Sequence, residues 1–250
     1  MIAGTSGALN GFRALLAAGG FGTRLRPITE HTPKCLVPIN GKPLLGYWLD
    51  LLCCAGVEKI LINTHYLPDL VRDYCLNHPN SDRLLLVHEE KLLGTAGTLL
   101  ANSAFFGNKS FLFAHADNLS LFSIEAFVAQ FNMKAAHEIG TMMTFLTDRP
   151  KDCGIVTVDA RAALIAYTEK PLAPVSNLAN AAVFLFDERI HQHLNSMNCA
   201  PHDFCAEIVP TLVGRLNTFH NSSYHRDIGT VEALNQANRD MSNSNSRYVH

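Results

Sequence analysis

The sequence has no CxxC pair, no HExxH, no internal repeat and no surplus of either charge, and each absence removes a class of protein. Its seven cysteines are an odd number and scattered, with Cys53 and Cys54 adjacent on an expected helix, so a disulfide framework or a zinc ribbon is not supported. A reducing, cytoplasmic setting fits that usage best. The 20 basic residues face 22 acidic ones, a formal charge of −2, which excludes a general polyanion-binding surface and a nucleic-acid partner. Any positive charge that matters must be local. No apolar run reaches the length of a bilayer, so no membrane partner is expected. The opening MIAGTSGALNGF lacks a basic start followed by a sustained apolar stretch, the marks of a secretory leader. His191 and His193 stand two positions apart, a spacing that does not share a helical face, and no other zinc motif accompanies them.

What is present is a hydrophobic content of 48% over 250 residues, enough for one sizeable core. Short apolar runs alternate with helical periodicity. Strands are expected from Arg13 to Ala18, from Lys59, from Arg83, over SFLFAH before Asp117, and over Met142 to Leu146. Helices are expected over PLLGYWLDLLCCAG, from Pro68, from Thr95 and over Ile124 to His137. This alternation implies an α/β fold with a mostly parallel sheet covered on both faces. After about residue 150 the texture changes. GIVTVD and ALIAYTEK read as a hairpin and NAAVFLFD as a strand; DFCAEIVPTLVGR reads as a helix, NTFHN and YHRDI as strands, and TVEALNQANRD as a last helix. No linker separates the halves. The expected organisation is a flexible extension over residues 1–12, one domain over 13–240 and a polar tail over 241–250.

The passage GGFGTRLRPITEHTPK, from Gly19 to Lys34, carries the chemistry. It follows the first strand at once and combines glycines at 19, 20 and 22 with Arg24, Arg26 and Lys34. It is not a Walker A loop, because Gly41-Lys42 is followed by Pro43, and not a dinucleotide loop, because Leu25 stands where a third glycine is needed. Glycines let backbone N–H groups approach a ligand, and the cations add charge, a combination suited to a triphosphate.

The order of motifs resembles the sugar-1-phosphate nucleotidyltransferases, which join a nucleoside triphosphate to a sugar 1-phosphate and release pyrophosphate. G-x-G-T-R-L-x-P with T-P-K (Gly20 to Pro27, Thr32 to Lys34) opens the resemblance. LGTAGTL (Leu93 to Leu99), HADN (His115 to Asn118), CGIV (Cys153 to Val156), TEKP (Thr168 to Pro171), NAAVF (Asn180 to Phe184) and YHRDIGT (Tyr224 to Thr230) follow in order, so the likeness runs from about Arg13 to Gln236. It implies a Rossmann-like nucleotidyltransferase fold, a mixed and mostly parallel sheet flanked by helices with a small antiparallel lid over the sugar site. By the same resemblance Arg24, Lys34 and Lys170 are catalytic. Ala17, Ala18, Gly19, Gly20, Gly22, Thr23, Gly94 and Thr95 join Arg24 and Lys34 in binding the nucleotide. Gly154, Glu169, Lys170 and Asn180 bind the sugar, and Asp117 and Asp227 hold Mg²⁺.

Within that family the TPKCLVPINGKPLL and LGTAG forms favour GTP and a mannose- or heptose-type sugar 1-phosphate. Uridylyl or thymidylyl transfer to a hexose or amino-sugar 1-phosphate is the alternative, and a cytidylyltransferase for a non-sugar alcohol phosphate is less favoured. A non-catalytic regulatory subunit is a reading of another class, marked by loss of Arg24, Lys34, Asp117, Lys170 or Asp227; all five are present. Ala182 stands where the family commonly has glycine, which leaves the sugar open. A homodimer is compatible with the sequence, and no appended repeat domain is expected.

Overall fold

Both faces of the first-half strands are apolar, so they need cover on both sides, and the fold supplies it. The computed structural model describes residues 7–197 and 200–243. It begins with β1 (Arg13–Ala17), the two-residue strands β2 (Pro38–Ile39) and β3 (Lys42–Pro43), and α1 (Leu44–Cys54). Then come β4 (Lys59–Thr64), α2 (Pro68–Leu76), β5 (Leu84–His88), α3 (Gly94–Ala101), α4 (Ser103–Phe106) and β6 (Phe111–His115). Strands β5, β4, β1 and β6 lie side by side and parallel. Successive residues enter opposite core layers: Leu15, Leu61, Phe111 and Phe113 in one, Leu16, Ile60, Ile62 and Leu112 in the other.

The second half continues with β7 (Asn118–Leu121), α5 (Ile124–Asn132), β8 (Gly140–Leu146), β9 (Gly154–Val158), β10 (Leu164–Glu169) and β11 (Leu178–Phe186). It ends with α6 (Arg189–Asn195), β12 (Leu216–His220), β13 (Tyr224–Asp227) and α7 (Val231–Asn243). Strand β11 runs antiparallel to β6 on one side and to β8 on the other, and its register breaks between Asn180 and Phe184. The β9–β10 hairpin joins the sheet through Ala179 of β11, and β12 lies parallel to β8. Strands β7 and β13 form a separate antiparallel ribbon. Leu25, Val37, Ile39, Leu44, Leu119, Ile228 and Leu234 form a third apolar cluster, which fixes the glycine loop against this ribbon and α7. No described helix is long and apolar enough to cross a membrane.

Several elements differ from the sequence expectation. Residues 7–12 are not free: Leu9 is fully buried and its N–H bonds to the Ala55 carbonyl at 2.9 Å, while Phe12 meets Phe131 edge to face. Two apolar side chains in reach of the core gain more by burial than by solvation. Residues 1–6 lie outside the described residues. Helix α5 stops at Asn132, where Glu138 accepts the Ala135 N–H at 2.6 Å and turns the chain. The single helix expected after Asp203 is instead a π-helical turn, Phe204–Ile208, followed by a 3₁₀ turn, Val209–Leu212. Pro210 has no N–H to give and excludes a continuous α-helix. Helix α7 extends through Asn243 into the expected tail, and residues 244–250 lie outside the described residues.

Candidate functional site

The parallel strands end on one side of the sheet, where an open α/β fold leaves a crevice. Ala17 closes β1 in register with Asn63 of β4 and His115 of β6. The chain then turns, and the Ala18 N–H donates to Asn63 Oδ1 at 2.7 Å. Gly19 and Gly20 carry it on to Gly22, whose carbonyl accepts from Thr29 Oγ1 at 2.7 Å, closing the loop. In the 3₁₀ turn Thr23–Leu25, Leu25 is fully buried while its neighbour Arg24 lines the crevice. A second 3₁₀ turn, Lys34–Leu36, brings Lys34 in from the far end of the same passage.

The two aspartates meet because β7 pairs with β13. Asp117 stands two residues past the end of β6, after Ala116, and Asp227 closes β13 opposite Asn118. The Ile228 N–H bonds to the Asp117 carbonyl at 3.1 Å, and Trp48 Nε1 donates to the Asn118 carbonyl at 2.9 Å. Lys34 Nζ stands 2.6 Å from Asp117 Oδ2 and 3.4 Å from Asp227 Oδ1. Only 9% of the Lys34 side chain is exposed, against 35% and 52% of the two aspartates, so the ammonium lies beneath carboxylates that solvent still reaches. Burial alone would lower the Lys34 pKa; the two carboxylates outweigh it and hold the group protonated. Burial likewise opposes the Asp117 charge, but Lys34 and then His115 bring its pKa below the usual value. For Asp227 burial prevails, aided by the Asp117 charge, and its pKa is raised. One acid low and its neighbour high is the behaviour of two carboxylates sharing a counter-charge. His225, pushed down to about 3 chiefly by burial, is neutral, with Nδ1 2.6 Å from Ser120 Oγ.

Beyond the aspartates the crevice holds a cavity of about 200 Å³, lined among others by Gly154, Glu169, Lys170, Asn180 and Cys205. A cavity of about 730 Å³ adjoins it toward α7, and Arg24, Lys170 and Asp227 face both. The Tyr167 hydroxyl donates to Glu169 Oε2, and Lys170 Nζ lies 3.6 Å from Glu169 Oε1. Asn180 accepts the Ala182 N–H at 2.9 Å and directs its amide to Cys205 Sγ at 3.4 Å. Ala182 has φ +52° at the register break of β11, a conformation in which a glycine would be at ease.

Gly94 and Thr95 open α3 and do not line these two cavities. Gly94 has φ +75°, and a Cβ there would run into the His202 carbonyl. Thr95 Oγ1 is taken up by the Phe204 N–H at 2.8 Å. This segment is tied to the glycine loop by a buried group that the sequence did not reveal. Glu89 accepts from Asn63 Nδ2 at 3.0 Å, Thr98 Oγ1 at 2.5 Å and the Leu93 N–H at 3.0 Å. Asn63 and Glu89 are polar residues closing or just following apolar strands, and that position was the available signal. His191, by contrast, packs against the stacked pair Phe106 and Phe111, and His193 bonds Thr211 and Arg215.

Among the described residues no group of three or more His, Cys, Asp and Glu side chains could hold a metal ion. Asp117 and Asp227 are two carboxylates of the crevice already gathered round one cation. Such an all-oxygen pair suits a hard divalent ion whose remaining ligands are phosphate oxygens and water.

The family model described as nucleotidyl transferase matches residues 13–244. The chain is 30% identical over 226 residues to the mannose-1-phosphate guanylyltransferase catalytic subunit beta of Drosophila melanogaster, a match that covers 88% of this chain and 60% of that protein. It therefore spans well under two thirds of the curated relative's length. A Bacillus anthracis protein assigned as a glucose-1-phosphate thymidylyltransferase, solved with sucrose, superposes with a TM-score of 0.79 at 23% identity, covering 91% of this chain and 94% of that one. HddC from Yersinia pseudotuberculosis, solved with GMP-PN, gives 0.74 at 21% identity, covering 92% and 99%. At these identities the two structures establish likeness of fold.

Proposed function

Because the chain belongs to the nucleotidyl transferase family, matched from residue 13 to residue 244, we propose that it joins a nucleoside triphosphate to a sugar 1-phosphate and releases pyrophosphate. The observation that carries this reading is the single crevice in which Lys34 touches both Asp117 and Asp227 while Arg24 and Lys170 line the walls. The reaction brings two anions together, so its barrier lies in repulsion and alignment; positioning and charge neutralisation are the remedy. A phosphate monoester has a second pKa of about 6 and is mostly ionised at neutral pH, so no dedicated base is needed.

The loop, bounded by Ala17 and Ala18 on one side and Thr23 on the other, offers the backbone N–H groups of Gly19, Gly20 and Gly22 to the triphosphate, and Arg24 neutralises its departing end. Lys34 serves the phosphate under attack. Gly94 and Thr95 bound the base and ribose. Lys170 grips the sugar phosphate and aims its oxygen, while Gly154, Glu169 and Asn180 meet sugar hydroxyls. Asp117 and Asp227 would hold Mg²⁺, which when bound supplies a hard divalent counter-charge for phosphate oxygens. GTP with a mannose- or heptose-type sugar 1-phosphate is the favoured pair, supported by the name of the curated relative.

The test is pyrophosphate release with Mg²⁺ from GTP, UTP and dTTP, each paired with mannose, heptose, glucose and amino-sugar 1-phosphates. Release should be fastest with GTP and a mannose- or heptose-type acceptor. Binding without release in every combination would overturn the enzyme reading in favour of a regulatory subunit.

A further inference from the structure

Gly229 follows the second aspartate by two residues, inside the YHRDIGT motif and just before the last helix. A Cβ built at Gly229 would stand 2.8 Å from Asp227 Oδ2 and 2.9 Å from Arg24 Nη2. Both distances are well inside van der Waals contact, so a methyl group there must displace both side chains. The backbone on either side is fixed. Ile228 is fully buried and its N–H bonds to the Asp117 carbonyl, while Thr230 caps α7 through the Ala233 and Leu234 N–H groups. Nor is Gly229 among the residues with positive φ, so its backbone is one that alanine adopts readily.

The glycine is thus required by what surrounds it and not by its own conformation. We infer that Gly229 is a positioning residue whose missing side chain lets Arg24, from the glycine loop, and Asp227, from β13, occupy adjoining space at the junction of the two cavities. Asp227 then sits between two cations: Oδ1 faces Lys34 at 3.4 Å, and Oδ2 faces the space that Arg24 shares. The atoms a methyl would strike are the free ends of flexible side chains, so the fold tolerates the change and the site does not.

This inference rests on the proposed nucleotidyl transfer for its ligand. Its test is a cycle of Gly229→Ala, Arg24→Ala and the double variant, read by melting temperature, by pyrophosphate release, and by calorimetric binding of inorganic pyrophosphate with Mg²⁺. Gly229→Ala should melt with the wild type, yet lose about tenfold or more in both release rate and pyrophosphate affinity. The double variant should fall less than the product of the two single losses, because the part of the methyl's effect that acts through Arg24 is already gone and only the part through Asp227 remains. A Gly229→Ala protein that does not fold, that keeps wild-type binding and turnover, or whose loss multiplies fully with that of Arg24→Ala overturns the inference. The calorimetric arm needs no turnover, so an inert wild type would sink the proposed function while leaving Gly229 separately tested.

Discussion

At the scale of single residues, Lys34 is the most informative. Among the described residues its ammonium is the one cation in contact with both aspartates, and it sits on the side of them away from solvent. Removing one member of a buried ion pair costs about 3–5 kcal/mol, an upper bound here because the aspartates keep access to water. Lys34→Met should lower the melting temperature for this reason. It should also make Mg²⁺ raise the melting temperature of the variant more than that of the wild type, since the ammonium no longer competes for the same oxygens. Equal metal-induced shifts would show that Lys34 and the metal do not share those carboxylates. Arg24, Lys34 and Asp117 were legible in the sequence because each lies in or beside a motif whose neighbours restrict it. Glu89 was not. Its partners Asn63, Leu93 and Thr98 come from β4, the loop before α3 and α3 itself, and no local spacing announces such a meeting.

At the scale of elements, the ribbon of β7 and β13 decides the site. It sets Asp227 opposite Asn118 and so beside Asp117. Four-residue strands leave almost no periodic signal, and their pairing partner lies in the other half of the chain, so this pairing could be expected only from the motif resemblance. Trp48 of α1 anchors it, donating from Nε1 to the Asn118 carbonyl at 2.9 Å from a nearly fully buried position. Trp48→Phe keeps an aromatic ring but leaves that carbonyl unpaired, at a cost of about 1–3 kcal/mol. Urea unfolding should show the loss. Turnover should fall beyond what the remaining folded fraction explains, because Asn118 adjoins Asp117. A full loss of stability with an unchanged rate per folded molecule would mean that the ribbon is only structural. The parallel strands were easier to read: burial on both faces leaves unbroken apolar runs such as FLFA, which have few other uses.

At the scale of the whole molecule, the two halves contribute unlike things to one crevice. The parallel half supplies the glycine loop and Asp117 from strand ends that the alternation of strand and helix already located, and Lys34 from the 3₁₀ turn at the far end of the loop passage. The second half supplies Lys170, Asn180 and Asp227 from a hairpin, a bulged strand and a ribbon. Their approach depends on where β11 enters the sheet, between β6 and β8. That insertion is a long-range event which local sequence patterns do not encode, and it is why the second half's share of the crevice was the less legible one. Ala182 illustrates the point: the sequence showed an unusual residue, and only the fold showed its φ of +52°.

If the charges of this crevice perform nucleotidyl transfer, Mg²⁺-dependent pyrophosphate release by Asp117→Asn, measured beside the wild type, will show it. Asparagine keeps the size and removes the charge, and Lys34 retains Asp227 as a partner, so the melting temperature should fall less than for Lys34→Met and release is compared per folded molecule. Release should fall about a hundredfold or more, the scale on which loss of one charge-stabilising group acts. A variant that releases pyrophosphate at close to the wild-type rate would contradict that role for the charges.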